Sequence, residues 1–254
     1  FLEVCGRAHT GTGVAASALC LDKIRSRQVF AQAGLRMAPG VALWPHEIQL
    51  DLQACMQRVL DLGPGPWFLK PSLGGSSVSM GRASTRAELE AYLQSLPALA
   101  PGEGLLAEQA IAGTEVTVGL LAGEPGRAVR LPVVEICPQT EGWFDYQEKY
   151  SAGGALEFCP PRSMDSKTQT RVQDAAERAW VAAGLSGYAR LDFIVDESGQ
   201  PVLLEANTLP GFTPRSLFPM AAKVAGLSFE ALCVELCLRG SRDFHERSCQ
   251  GDAS

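Results

Sequence analysis

Residues 190–211 read RLDFIVDESGQPVLLEANTLPG, two apolar runs joined by a turn and carrying Arg190, Asp192, Glu205 and Asn207. Folded as a hairpin around residues 197–200, the run sets Asp196 against Pro201, Val195 against Val202, Phe193 against Leu204 and Leu191 against Ala206. Side chains alternate between faces along a strand, so the inner of these pairs share one apolar face. The other face then holds Asp192 opposite Glu205 and Arg190 opposite Asn207. Like charges directly across a ladder repel, and a cation between them reconciles the pair. Two carboxylates and an Asn carbonyl are the oxygen donors Mg2+ takes when it also holds substrate phosphates. The pattern predicts a metal–nucleotide site on a sheet face rather than a solvated hairpin with scattered charges.

Other segments carry compatible chemistry. Residues 70–77, KPSLGGSS, join two short apolar runs. Glycine N–H groups can form an anion nest there and Lys70 adds a point charge, although a flexible hairpin tip fits the same residues. The lysine precedes the glycines and no helix pattern follows, so this is not a Walker A loop. Glu108 could accept from an adenine amino group and Glu115 from ribose hydroxyls; by residue type alone they read as two surface acids. Residues 145–150, DYQEKY, lie with Trp143 and Phe144 in a stretch without periodicity, 137–162. Such a loop can close over a nucleotide and exclude water, or stay exposed to meet a partner. Gly211 permits an unusual backbone angle or a close approach to ligand, and its N–H could face a developing oxyanion beside Arg190. A simple glycine turn out of the sheet would use the same residue.

These residues need elements to hold them. A helical pattern runs over 14–33 and stops at Gly34, a plausible C′ glycine. Ile48, Leu52, Cys55, Met56, Val59 and Leu60 recur at helical spacing. Thr85 and Glu88 fit a capping box opening a helix to about residue 96. Further helices are expected over 168–183, 216–225 and 229–239, with a frayed tail from 241. Strands are expected over 39–43, 67–70, 78–83, 105–110, 115–121 and 127–136, besides the hairpin. Hairpins mixed with helices, without βαβ alternation, predict the α+β class.

The composition agrees: 254 residues, 46% hydrophobic and 20% charged, suit one large globular domain or two small ones. A net charge of -6 argues against a nucleic-acid partner, which would need a basic stripe, but not against a local phosphate pocket. No apolar run has the length of a membrane span, so no membrane partner is expected. Phe1 opens without a charged n-region, so no secretory leader is expected. The 8 Cys form no CxxC pair and lie mostly in apolar runs. Cys233 and Cys237, one turn apart, read as packing rather than metal ligands. Reduced thiols in a cytoplasmic protein fit best. The 3 His are scattered and support neither a triad nor a zinc site.

Five segments fall in a meaningful order: TGTGVAASALCLDK at 10–23, FLKPSLGGSSVSMG at 68–81, AEQAIAGTEVTV at 107–118, DYQEKY at 145–150, and GYARLDFIVDESGQPVLLEANTLPGFTPRSL at 187–217. Together they resemble the D-alanine–D-alanine ligases of the ATP-grasp superfamily. The resemblance implies an ATP-grasp fold in which two α+β lobes with mainly antiparallel sheets enclose ATP. It implies a remnant of an N-terminal substrate domain at 1–13, a small lobe at 14–110 and a C-terminal lobe at 111–240, most of the N-terminal domain being absent. It assigns Lys23, Lys70 and Lys149 to ATP phosphates, Glu108 and Glu115 to adenine and ribose, and Gln109, Ala110 and Ile111 to the linker strand. Asp192, Glu205 and Asn207 would bind Mg2+ or Mn2+. Arg190 and the Gly211 N–H would stabilise the tetrahedral centre, Ser216 and Leu217 would hold the second substrate's carboxylate, and Ser76 and Tyr150 would lock the long loop. The implied reaction joins two D-alanines through an acyl phosphate, for peptidoglycan precursor synthesis. D-lactate or D-serine acceptors, or a non-catalytic nucleotide-binding remnant, are the rival readings; Tyr150 after Lys149 favours D-alanine. A homodimer is one assembly the resemblance allows.

Overall fold

The computed structural model describes residues 1–73, 80–96, 99–124, 127–137 and 155–251, with residues 243 and 245–251 described by backbone alone. Its architecture is α+β, built on two antiparallel sheets. The smaller has the order β1-β4-β2-β3, from Gly40–Leu43, Leu105–Gln109, Trp67–Pro71 and Gly81–Ala83. The larger runs β10-β9-β5-β7-β8, from Pro201–Asn207, Tyr188–Val195, Thr114–Ala122, Val134–Cys137 and Leu156–Phe158, and β6 (Ala128–Arg130) adds to β5.

Each sheet has an apolar side buried by helices. In the small lobe, α4 (Leu52–Leu60) and α5 (Arg86–Gln94) place Cys55, Met56, Val59, Leu89 and Leu93 against Leu43, Trp67, Leu69, Leu105 and Ala107. In the large lobe, α6 (Ser166–Ala183) buries Val172, Ala175, Ala176, Ala179, Trp180 and Ala183 at helical spacing. These meet Val116, Val118, Leu191 and Phe193 from alternate positions of β5 and β9. On the other side of the large sheet, α7 (Leu217–Val224) and α8 (Phe229–Gly251) cover one end, packing Phe218, Ala221, Leu232 and Leu236 on Leu121 and Tyr188. The rest of that face carries Glu115, Thr117, Asp192 and Asn207. Among the described residues no single helix is long and apolar enough to cross a membrane.

Several sequence expectations are corrected. The helix expected over 14–33 is two helices, α1 (Val14–Leu21) and α2 (Lys23–Gln32), because Asp22 caps the second: its Oδ1 accepts from Ile24 N–H at 3.0 Å and Arg25 N–H at 3.1 Å. Asp51 divides α3 (Pro45–Leu50) from α4 in the same way, accepting from Ala54 N–H at 2.9 Å. The strand expected over 127–136 breaks between β6 and β7. Residues 14–35, grouped by sequence with the small lobe, bury Ala16, Cys20, Phe30 and Leu35 in the large-sheet core. The expected frayed tail is helical as far as Gly251.

The hairpin register is half as expected. Glu205 pairs with Asp192, Ala206 with Leu191 and Asn207 with Arg190. Nearer the turn the pairing is shifted by one: Pro201 faces Val195, Val202 faces Ile194 and Leu203 faces Phe193, with a bulge between Leu203 and Glu205. The cause lies in the turn. Gly199 adopts a left-handed φ of 72° and Asp196 N–H donates to Gln200 O at 3.1 Å, which closes a three-residue loop rather than four. The bulge restores the register that opposes the two acids. Arg36 ties the hairpin to the chain after α2: it forms an ion pair with Asp196, and its carbonyl accepts from Leu203 N–H at 2.9 Å.

Asp196 Oδ1 accepts from the Ser198 hydroxyl at 2.6 Å and from the Gln200 N–H at 3.0 Å. These donors, with Arg36, hold the carboxyl far below the ordinary value of 3.8. A depressed folded-state value stabilises the fold above the unfolded value, and that contribution is lost as pH falls towards the folded one. Asp196→Asn should therefore lower the thermal midpoint at neutral pH, with the gap closing as pH drops below 3.8. Melting curves across pH check this; a gap that does not change with pH would remove the carboxylate from the role.

Candidate functional site

The polar part of that large-sheet face forms one wall. Arg190 grips Asp192 with both ends of its guanidinium, Nε to Oδ1 at 2.9 Å and Nη2 to Oδ2 at 2.8 Å. Thr117, across from Asp192 on β5, donates its hydroxyl to Oδ1 at 2.6 Å. Asn207 Nδ2 donates to Asp192 Oδ2 at 3.4 Å and to Glu205 Oε1 at 3.2 Å. Asp192 is buried and Glu205 half-buried, so their repulsion is only partly screened by water. The amide and the guanidinium moderate it.

This donor set fits a hard divalent cation. Two carboxylates and an amide oxygen, reached by turning the Asn207 amide over, are all-oxygen ligands, and too few to saturate an octahedral ion. Phosphate oxygens and water would complete the shell. Among the described residues no three His, Cys, Asp or Glu side chains converge on a metal site.

The opposite wall comes from the small sheet and α2. Phe68, Lys70 and Glu108 occupy one face of β2 and β4, with Lys70 Nζ 5.9 Å from the Phe68 ring centre. Glu108 is buried and holds two cations, Lys70 Nζ at 2.9 Å and Arg27 Nη1 at 2.6 Å. Burial pulls the Lys70 pKa down, but Glu108 and then Glu205 outweigh it and the net shift is upward. For Lys23 burial wins over the favourable charge of Glu205, and its pKa falls below the usual lysine value. The charge of Glu205 favours the protonated form of both lysines, which ties the two walls together electrostatically. The Lys23 N–H donates to Ser72 O at 2.9 Å, fixing α2 to the start of the glycine loop. Glu103, also buried, accepts from Leu73 N–H at 3.0 Å and Ala100 N–H at 2.8 Å, which fixes the chain at Leu73.

The other expected residues divide into three groups. Gln109 ends β4, its amide donating to Pro64 O at 3.0 Å, and Ala110 N–H donates to Pro66 O at 2.9 Å, so this stretch with Ile111 links the two sheets. Glu115 lies on β5 two positions from Thr117, on the face of Asp192. Ser216 precedes α7, and its Oγ accepts from Thr213 N–H at 3.0 Å; Leu217 begins the helix and packs on its core. Gly211 has no left-handed φ, so the first of the two expected uses, the unusual angle, is absent; a Cβ there would lie 3.3 Å from Ser216 Oγ, so the glycine gives room. Ser76, Lys149 and Tyr150 lie outside the described residues. Sequence reading missed Thr117, Arg27 and Glu103. Two signals were available: Thr117 alternates with Glu115, and Arg27 is one helical turn from Lys23. Nothing local marks Glu103.

Two antiparallel α+β lobes with phosphate-type lysines on one wall and a carboxylate pair on the other have the ATP-grasp arrangement. Residues 29–238 match the family model described as D-ala D-ala ligase C-terminus. The D-alanine–D-alanine ligase of Leptospira interrogans is 38% identical over 239 residues, which cover 93% of this chain and 66% of that protein. The crystal structure of VanG D-Ala:D-Ser ligase from Enterococcus faecalis superposes with a TM-score of 0.79 at 31% identity, over 94% of this chain and 66% of that one. The D-alanine–D-alanine ligase of Bacillus anthracis complexed with ATP gives 0.77 at 26% identity, over 97% and 74%. The chain belongs to the D-alanine–D-alanine ligase family, and it spans about two thirds of the length of the Leptospira relative.

Thr117 is almost fully buried, and its hydroxyl bonds a charged group. Replacing it with Val keeps the shape and should cost about 1–3 kcal/mol of stability while weakening Mg2+-dependent nucleotide binding. Urea unfolding and calorimetry check both; unchanged metal dependence would show that Asp192 does not need the hydroxyl.

Proposed function

We propose that the protein carries the nucleotide and metal half of an ATP-dependent ligase that joins two D-alanines for peptidoglycan precursor synthesis. The observation that carries this is the opposed Asp192–Glu205 pair, flanked by Arg190 and Asn207 and facing Lys23 and Lys70. In this reading Lys23 and Lys70, with Lys149, bind the phosphates, and Glu108, Glu115 and residues 109–111 hold adenine and ribose. Asp192, Glu205 and Asn207 hold Mg2+ or Mn2+, which when bound supplies neutralisation of phosphate charge. Ser216 and Leu217 receive the carboxylate of the second amino acid.

The carboxylate of one D-alanine accepts the terminal phosphoryl group, giving an acyl phosphate and ADP. The amine of the second attacks the acyl carbon, and phosphate leaves as the peptide bond forms. Phosphoryl transfer depends mainly on positioning and electrostatics, which is what the lysines contribute. Negative charge on the tetrahedral centre falls to Arg190 and the Gly211 N–H. Ser76 and Tyr150 act in closing the long loop, which keeps water from the acyl phosphate. The use of ATP, together with 7 free cysteines among the described residues, favours the cytoplasm.

Phosphate release with ATP, Mg2+ and D-alanine, with products identified by mass spectrometry, tests the reading. D-Alanyl-D-alanine should form. A mixed product, formed preferentially when D-serine or D-lactate is added, would transfer the reading to that acceptor, and ATP binding without turnover would favour a nucleotide-binding role. Glu205→Gln should lower turnover at least about a hundred-fold with the fold retained by circular dichroism; full activity would remove the metal assignment. Lys70→Ala should weaken ATP binding about ten-fold by calorimetry, and an unchanged affinity would count against its phosphate role.

A further inference from the structure

Lys70 reaches Glu108 in the same way it would reach a phosphate. A buried carboxylate beside a phosphate-binding lysine is a competitor, since a buried charge left unpaired is strongly unfavourable. If Lys70 were the sole counter-charge of Glu108, moving it to a nucleotide would strand the carboxylate. Arg27 prevents this. Its Nη1 takes Glu108 Oε1 at 2.6 Å, while Lys70 takes the other oxygen at 2.9 Å. Its Nη2 donates to the Ala38 carbonyl, which fixes the guanidinium against the chain entering β1. Arg27 and Lys23 are one turn apart on α2, so the same helix supplies both cations.

The packing makes room for this contact. Gly40 stands directly across the β1–β4 ladder from Glu108. A Cβ there would lie 3.0 Å from Glu108 Cγ and 3.1 Å from both Ala107 O and Arg27 Cζ. A side chain would push the guanidinium or the carboxylate aside.

We infer that Arg27 is a positioning residue which, by holding Glu108, keeps Lys70 available for nucleotide phosphates. This rests on the ATP-binding reading above and adds to it a residue that touches neither nucleotide nor substrate. Arg27 acts on phosphate binding through charge compensation, so its effect depends on the Glu108 charge and on the presence of phosphates. A merely structural role would show neither dependence.

Calorimetric titration of the protein with ATP and with adenosine, in the presence of Mg2+, tests it. Arg27→Gln should weaken ATP binding about ten-fold, equivalent to ~1.4 kcal/mol, and adenosine binding by a clearly smaller factor, since adenosine meets Glu108 at the base but does not call on Lys70. Arg27→Lys, which keeps the charge and loses the second donor, should fall between Arg27→Gln and wild type. In a Glu108→Gln background, adding Arg27→Gln should cost less than about two-fold, because no buried charge remains to compensate. Equal losses for ATP and adenosine, or the same loss in both backgrounds, would overturn the inference. Wild-type binding of ATP with no effect of Arg27→Gln would also overturn it while leaving the functional reading intact, and absence of ATP binding by the wild type would overturn both.

Discussion

Asp192 and Glu205 face each other directly across the β9–β10 ladder, where neutral or opposite charges would be easier to hold. Much of the surrounding structure manages that opposition. The Arg190 fork takes both oxygens of Asp192, the Thr117 hydroxyl adds a third donor, and the Asn207 amide bridges to Glu205. Behind the pair, α6 and the apolar faces of β5 and β9 give a rigid floor, so the acids cannot separate by bending the sheet. The charge of Glu205 also favours the protonated forms of Lys23 and Lys70. A floor with excess negative charge and a wall of lysines is complementary to a metal–triphosphate, which presents both signs.

The constraint also explains the bulge. The turn prefers a three-residue loop, with Gly199 in the left-handed region, and that choice alone would set Glu205 one residue out of register with Asp192. One extra residue at Leu204 restores the opposition. A period-2 pattern shows which residues share a face, so the acidic pairing was legible in the sequence. Loop closure and bulge cancel one another in the count between Asp192 and Glu205, so the turn half was not.

The same logic separates what else could be read. The capped breaks at Asp22 and Asp51 were hidden because each aspartate sits where one amphipathic helix would expose a polar residue. β8 is three residues inside a stretch without periodicity, too short to give a pattern. The helices α1 and α2 precede the small lobe in sequence yet bury Ala16, Cys20 and Phe30 in the large lobe, and no local propensity encodes the partner of an apolar face. The Arg27–Glu108 contact joins residues 81 apart and depends on the absence of a side chain at Gly40. Such long-range charge compensation is fixed by packing, and residue types alone leave Glu108 indistinguishable from a surface acid.

The central claim, that the opposed acids hold a divalent cation beside nucleotide phosphates, is most directly tested by anomalous diffraction. Crystals of the protein grown with Mn2+ and a non-hydrolysable ATP analogue should show a manganese peak within coordination distance of Asp192, Glu205 and Asn207, with phosphate oxygens completing its shell. Bound nucleotide with no manganese between those side chains, or a peak ligated elsewhere, would contradict the account.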